Sequence, residues 1–218
     1  MVHINLKICG LTDTEQSLAI AAMGVDAIGV IGVPGSPRYI DEHHRRDLFL
    51  RLEHRAPDVE RVWVVANPTD AELGQALKGK GQPTIVQLHG DETVERLSEL
   101  RWRYGRVHWW KALRLRQKID IQRMQLFRDE ADALLLDAWS PKHLGGTGYH
   151  LPIDWLDNIP PGSNWWLAGG IAAEYIHNIL ARVQPMGIDA SSRLETRPGW
   201  KDLARVQDLV DTVRAYTS

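Results

Sequence analysis

The stretch HINLKICGLTDTEQSLAIAAMG, residues 3–24, reads as one complete strand–helix unit. Its first seven residues alternate, with Leu6 and Ile8 on one face and Lys7 and Cys9 on the other, as a strand requires. Thr12-Asp13-Thr14-Glu15 then carries a capping-box signal with Thr12 as the N-cap, and Gly24 supplies a C-terminal stop. The same alternation recurs along the chain. Short runs rich in Val, Ile, Leu or Trp predict further strands near 26–31, 61–66, 84–88, 107–112, 133–137, 165–168 and 186–190. Asp41-Glu42 and the capping box Thr69-Asp70-Ala71-Glu72 open helices between them. A helical stripe of Leu203, Val206, Leu209, Val210 and Val213 predicts a last helix over about 202–216.

Eight strands alternating with about eight helices predict a (β/α)8 barrel, an α/β fold, in one domain over residues 1–218. An open doubly wound sheet is the weaker reading. No Gly-x-Gly-x-x-Gly follows the first strand, and no Walker lysine motif is present. Pro160-Pro161-Gly162, just ahead of a strand, reads as a turn rather than a linker.

Lys plus Arg total 26 and Asp plus Glu 28, a net charge of -2, so the chain lacks the basic surplus of a dedicated nucleic-acid binder. Residues 101–118 do interleave Arg, Lys and Trp, but they read as a helix end, a Trp-bearing strand and a solvated basic face. A single cysteine excludes an internal disulfide framework and Cys-rich zinc patterns. No metal site is expected, because only His89 of the nine histidines falls at a strand end. No apolar run is long enough for a membrane span and no targeting segment opens the chain, so a cytoplasmic protein is expected.

In a barrel of this kind, chemistry belongs at the carboxyl ends of the strands. Those ends carry Lys7, Cys9, His89, Lys111, Asp137 and Asp189, and polar groups there are costly unless they meet partners or a ligand. Alone, Cys9 reads as a small buried hydrophobe. Beside Lys7 and ahead of a capped helix, it reads as a thiol drawn toward the thiolate, a base or nucleophile. Asp137, on a different strand, is then a candidate acid. Gly145-Gly146-Thr147-Gly148, Gly169-Gly170 and Ser191-Ser192 follow the last three strands. Each alone reads as a tight turn; three on adjacent loops favour a phosphate cradle. Arg38 is a candidate fork for a carboxylate.

These segments resemble a known family. Lys-Ile-Cys-Gly-Leu-Thr (7–12), Ser-Pro-Arg-Tyr-Ile (36–40), Val-Gln-Leu-His-Gly-Asp-Glu (86–92) and Leu-Leu-Leu-Asp (134–137) are similar to phosphoribosylanthranilate isomerases. So are Gly-Gly-Thr-Gly (145–148), Leu-Ala-Gly-Gly (167–170) and Gly-Ile-Asp-Ala-Ser-Ser (187–192), followed by Glu195, Pro198-Gly199 and Lys201-Asp202. The resemblance implies a cofactor-free isomerase of tryptophan biosynthesis that performs an Amadori rearrangement on phosphoribosylanthranilate. It implies Cys9 as general base and Asp137 as general acid. Lys7, Arg38, His89 and Asp189 would bind substrate, with Gly146, Gly148, Gly169, Gly170, Ser191 and Ser192 around the phosphate. Association with other tryptophan-pathway enzymes is compatible with it. Two segments depart from the family pattern. Gly29-Val30-Ile31-Gly32-Val33-Pro34-Gly35 stands where Phe residues are usual, and Arg193 stands where a glycine is common.

Overall fold

In a computed structural model, which describes residues 3–138, 151–157, 159 and 164–217, eight parallel strands close into a barrel. They are β1 (Asn5–Cys9), β2 (Ala27–Ile31), β3 (Glu60–Val65), β4 (Ile85–Leu88), β5 (His108–Leu115), β6 (Ala133–Ala138), β7 (Trp165–Leu167) and β8 (Gly187–Ala190). Every predicted strand is present, and β5 runs three residues past its predicted end at 112. Closure comes from β1 against β8, with Asn5 opposite Gly187 and Lys7 opposite Asp189.

Among the described residues seven α-helices surround the strands: α1 (Thr14–Ala22), α2 (Glu42–Arg55), α3 (Asp70–Ala76), α4 (Val94–Arg103), α5 (Met124–Phe127), α6 (Ala173–Leu180) and α7 (Leu203–Thr217). The expected eighth does not appear among them; between β6 and β7 the described chain shows one 3-10 turn, Ile153–Trp155. Pro160-Pro161-Gly162 lies outside the described residues. The Thr69 capping box forms as read. The one assigned to Thr12 shifts by a residue: Asp13 caps α1 by accepting from the Gln16 amide at 2.8 Å, while the Thr12 hydroxyl donates to the Gly199 carbonyl. An element that the sequence does not predict is the hairpin β9 (Glu195–Arg197) with β10 (Trp200–Lys201), which follows β8.

The strands divide the apolar residues between two cores. Cys9, Ala27, Val62, Val64, Ile85, Trp110, Ala112, Ala133, Leu135, Trp166 and Ala168 form the inner one. Their neighbours along each strand, such as Leu6, Ile8, Trp63, Val65, Leu113 and Leu134, pack outward beneath the helices. Trp110 and Trp166 meet inside with ring centroids 4.6 Å apart. Four basic groups in 101–118 are spent on ion pairs, Arg101 with Asp132, Arg103 with Asp70, Lys111 with Glu92 and Arg114 with Asp91. No helix among the described residues is long and apolar enough to cross a membrane.

One polar clasp ties the first strand to the last helix. Arg214 donates to the Ile4 and Gly24 carbonyls at 2.9 and 2.7 Å and to Asp26 at 2.8 Å, and Asp26 also accepts from the Leu6 amide. Burial works against the Asp26 charge, but these donors hold its carboxyl below the usual range. Arg214→Ala is expected to lower stability by about 1–3 kcal/mol in urea unfolding near neutral pH. A depressed carboxyl contributes above its unfolded pKa, roughly 3.9, and loses that contribution as pH falls through the folded value. The gap between wild type and variant therefore narrows in acid; identical neutral midpoints would show that the clasp contributes nothing.

Candidate active site

A cavity of about 290 Å³ opens at the carboxyl ends of the strands. Cys9 from β1, Asp137 from β6 and Asp189 from β8 line it, with His89 just past β4, Gly169 and Gly170 past β7, and Ser191 and Ser192 past β8. Arg38 reaches it from the loop after β2. Nine of the expected site residues thus converge on one space. Gly146 and Gly148 lie outside the described residues.

Two expectations need correction, and that for Arg38 gains a detail. Lys111 alternates with the inward-facing Trp110 and Ala112, so it points away from the mouth. On the outer side of β5 its ammonium donates to Glu92 at 2.7 Å and to the Gly90 carbonyl at 2.9 Å. Lys7 does face inward, but it is fully buried beneath the cavity rather than on its wall. Arg38 is already forked: its Nε and Nη2 donate to the two Glu195 oxygens at 2.8 and 2.6 Å. The Nη1 edge is the part of the guanidinium that Glu195 does not engage.

Under the cavity, Lys7 Nζ lies 3.0 Å from Asp189 Oδ2 and donates to Gln87 Oε1 at 2.9 Å. The Gln87 amide nitrogen is 3.2 Å from His89 Nδ1, and His89 Nε2 is 3.5 Å from Asp137 Oδ2. Burial alone would discharge Lys7; Asp189 and the Cys9 sulfur outweigh it and hold the ammonium above its ordinary value. Burial likewise pushes the Asp189 carboxyl up, with Lys7 opposing. It also pushes the Cys9 thiol up, against the pull of Lys7 and Lys201. The expected help from Lys7 is therefore present, yet desolvation outweighs it, and the resting group is a thiol. Gly29 on β2 makes this packing feasible, since a Cβ there would stand 2.7 Å from the Cys9 sulfur and 3.0 Å from Lys7 Cε.

A second cluster fixes the rim. Lys201 on β10 donates to Glu195 at 2.8 Å and to the Ser191 carbonyl at 3.2 Å, and the Ser191 hydroxyl donates to the Cys9 carbonyl at 2.9 Å. Burial disfavours the Glu195 charge, but Arg38 and Lys201 together hold its carboxyl below the usual range. Past β7, Gly169 and Gly170 take φ of 92° and 68°, a conformation that side chains rarely adopt.

Gln87, Glu195 and Lys201 were given no role by the sequence reading. For Gln87 the signal was there: it stands two residues before His89 in an extended run, where alternate residues share a face. Among the described residues no cluster of three or more His, Cys, Asp or Glu is arranged to hold a metal ion.

The model of the N-(5'-phosphoribosyl)anthranilate isomerase family matches residues 6–212. The chain belongs to this family. A relative of that name from Synechococcus elongatus is 42% identical over 210 residues, covering 96% of each chain. One from Rippkaea orientalis is 37% identical over 99% of this chain and 98% of its own. The crystal structure of phosphoribosylanthranilate isomerase from Thermotoga maritima superposes with a TM-score of 0.85 at 28% identity, covering 97% of this chain and 99% of that one. Another phosphoribosylanthranilate isomerase structure, in complex with reduced 1-(o-carboxyphenylamino)-1-deoxyribulose 5-phosphate, gives 0.79 at the same identity and coverage. This chain is accordingly an isomerase.

The raised thiol gives a direct test. Alkylation of Cys9 by iodoacetamide should accelerate with pH through a midpoint above the ordinary thiol value of about 8.5. Lys7→Met removes the nearest stabilising cation and should move that midpoint higher. A midpoint below the ordinary value, or one that Lys7→Met leaves in place, would contradict this electrostatic picture.

Proposed function

We propose that the chain converts N-(5'-phosphoribosyl)anthranilate to 1-(2-carboxyphenylamino)-1-deoxyribulose 5-phosphate in tryptophan biosynthesis, by an Amadori rearrangement run on acid–base chemistry. The observation that carries this reading is the placement of the Asp137 carboxyl and the Cys9 thiol on one cavity wall each, with β7 and β8 between their strands. The reaction needs a proton delivered to the furanose ring oxygen and another removed from C2, with no redox partner.

Asp137 protonates the ring oxygen as the C1–O bond breaks, leaving an iminium at C1. That cation acidifies the C2 proton, and its charge beside the cavity wall favours the Cys9 thiolate that burial otherwise resists. Cys9 removes the C2 proton to give an enolamine, which tautomerises to the ketone. Asp189 Oδ1, buried and without a hydrogen-bond partner among the described residues, is an acceptor for a donor on the anthranilate end. His89 also lines the cavity. The free Nη1 edge of Arg38 takes the anthranilate carboxylate. Backbone N–H groups around Gly170 and Ser192 hold the phosphate, with Gly146 and Gly148 assigned to the same cradle from the sequence.

Asp137→Asn and Cys9→Ala should each lower kcat by about two orders of magnitude or more with the fold intact. Freshly generated substrate is followed by loss of anthranilate-type fluorescence together with appearance of the ribulose product. Turnover near wild type in either variant removes that residue from the acid–base pair. Arg38→Ala should chiefly raise KM, because the carboxylate contact is present in ground and transition states alike. A large kcat loss at constant KM would contradict it.

A further inference from the structure

We propose that Gln87 is a positioning residue that fixes His89 as its Nε2–H tautomer and so aims an N–H at the Asp137 carboxyl. The argument begins at Lys7, whose ammonium has protons to give and no lone pair to offer. The atom of Gln87 that faces it at 2.9 Å must therefore be the amide oxygen. Lys7 cannot turn away to relax this demand, since Asp189 holds it at 3.0 Å and the lysine side chain is fully enclosed. With its oxygen committed, Gln87 presents its NH2 group to His89 Nδ1 at 3.2 Å. Nδ1 must then accept. In the neutral ring the one proton is left on Nε2. Turning the imidazole by half a rotation would put carbons at both positions and lose both polar contacts.

The ring's other nitrogen, His89 Nε2, is buried without a hydrogen-bond partner among the described residues, and Asp137 Oδ2 stands 3.5 Å from it. That separation is too long for a good hydrogen bond at rest. It is short enough to close when the carboxyl becomes a carboxylate. A donor fixed in advance and aimed where negative charge appears costs no reorganisation as the proton leaves. Asp189, Lys7, Gln87 and His89 thus form one polarised chain that ends on Asp137. This inference rests on the reading of Asp137 as the acid, but its structural half does not.

The tautomer can be read by two-bond nitrogen–proton correlations in the full-length protein labelled with ¹⁵N. The spectrum is taken at about pH 8, above the ordinary imidazole range, and the His89 signals are assigned by their loss in His89→Asn. The expected pattern is Nε2–H; an Nδ1–H pattern or a persisting imidazolium overturns the proposal. Gln87→Glu keeps the size and replaces the NH2 donor with an acceptor. It should convert His89 to the Nδ1–H or imidazolium form, and an unchanged tautomer overturns the assignment to Gln87. The same variant should lower kcat about 10-fold with KM within about 2-fold. A switched tautomer with kcat unchanged would refute the link to Asp137 while leaving the acid role of Asp137 standing. Full turnover in Asp137→Asn would instead remove the acid role, and with it the purpose of the N–H, whatever tautomer is found.

Discussion

Lys7 and Asp189 meet across the seam where β1 closes on β8, and most of the site depends on that ion pair. Both groups are buried, and taking two charges out of water is seldom repaid by their attraction alone. An apolar pair of similar volume would close the barrel at least as well. The ion pair does what an apolar pair could not: it fixes the position and polarity of everything around it. Lys7 sits two residues before Cys9 on the same face, so the cation that opposes thiol desolvation is set by the strand itself. Asp189 keeps one oxygen on Lys7 and leaves the other without a hydrogen-bond partner among the described residues. Gln87 is oriented by the same ammonium. Removing one partner would strand a buried charge, at a cost of roughly 3–5 kcal/mol.

The Arg38–Glu195–Lys201 cluster does the corresponding work at the rim. Glu195 accepts from Arg38, Lys201 and the Gly199 amide, and so joins the loop after β2 to the β9–β10 hairpin. Lys201 then reaches Ser191, whose hydroxyl holds the Cys9 carbonyl. A guanidinium already forked on a carboxylate has lost its side-chain freedom before any ligand arrives, so less entropy is left to lose on binding. The electrostatic consequence is opposite in kind. Glu195 neutralises part of the charge that would draw in an anion, and Lys201 restores a cation beside it.

The barrel was legible because eight short apolar runs repeat in order, and the helix starts at Asp13, Asp41 and Thr69 each depend on residues three apart. Side-chain direction was less so. On β5, Trp109 and Trp110 are both buried, one on each side, so no polar–apolar alternation shows which way Lys111 points. A strand end is not sufficient; the parity relative to an inward residue decides. Asp13 in place of Thr12 as the cap is the usual one-residue ambiguity when two capping residues are adjacent. The fork of Arg38 onto Glu195 joins residues 157 apart, and nothing local in either segment announces it. The cluster of site residues, by contrast, could be read from strand ends and from the family resemblance together.

The segment after β2 shows how the fold tolerates a departure from its family. Where aromatic side chains are usual, Ile31, Val33, Pro34 and Gly35 line the cavity. The missing bulk comes from behind. The Trp63 indole packs so closely on Gly32 that a Cβ there would come within 2.1 Å of its nitrogen. Arg45 on α2 lies over that ring at 4.9 Å and near Phe49 at 5.7 Å, almost wholly buried, with burial pulling its guanidinium down to about 10. A buried cation over an indole is worth up to about 2 kcal/mol when desolvated, which partly offsets the cost of enclosing it. The loop that carries Arg38 is thereby braced from outside the barrel by aromatic packing rather than from within it.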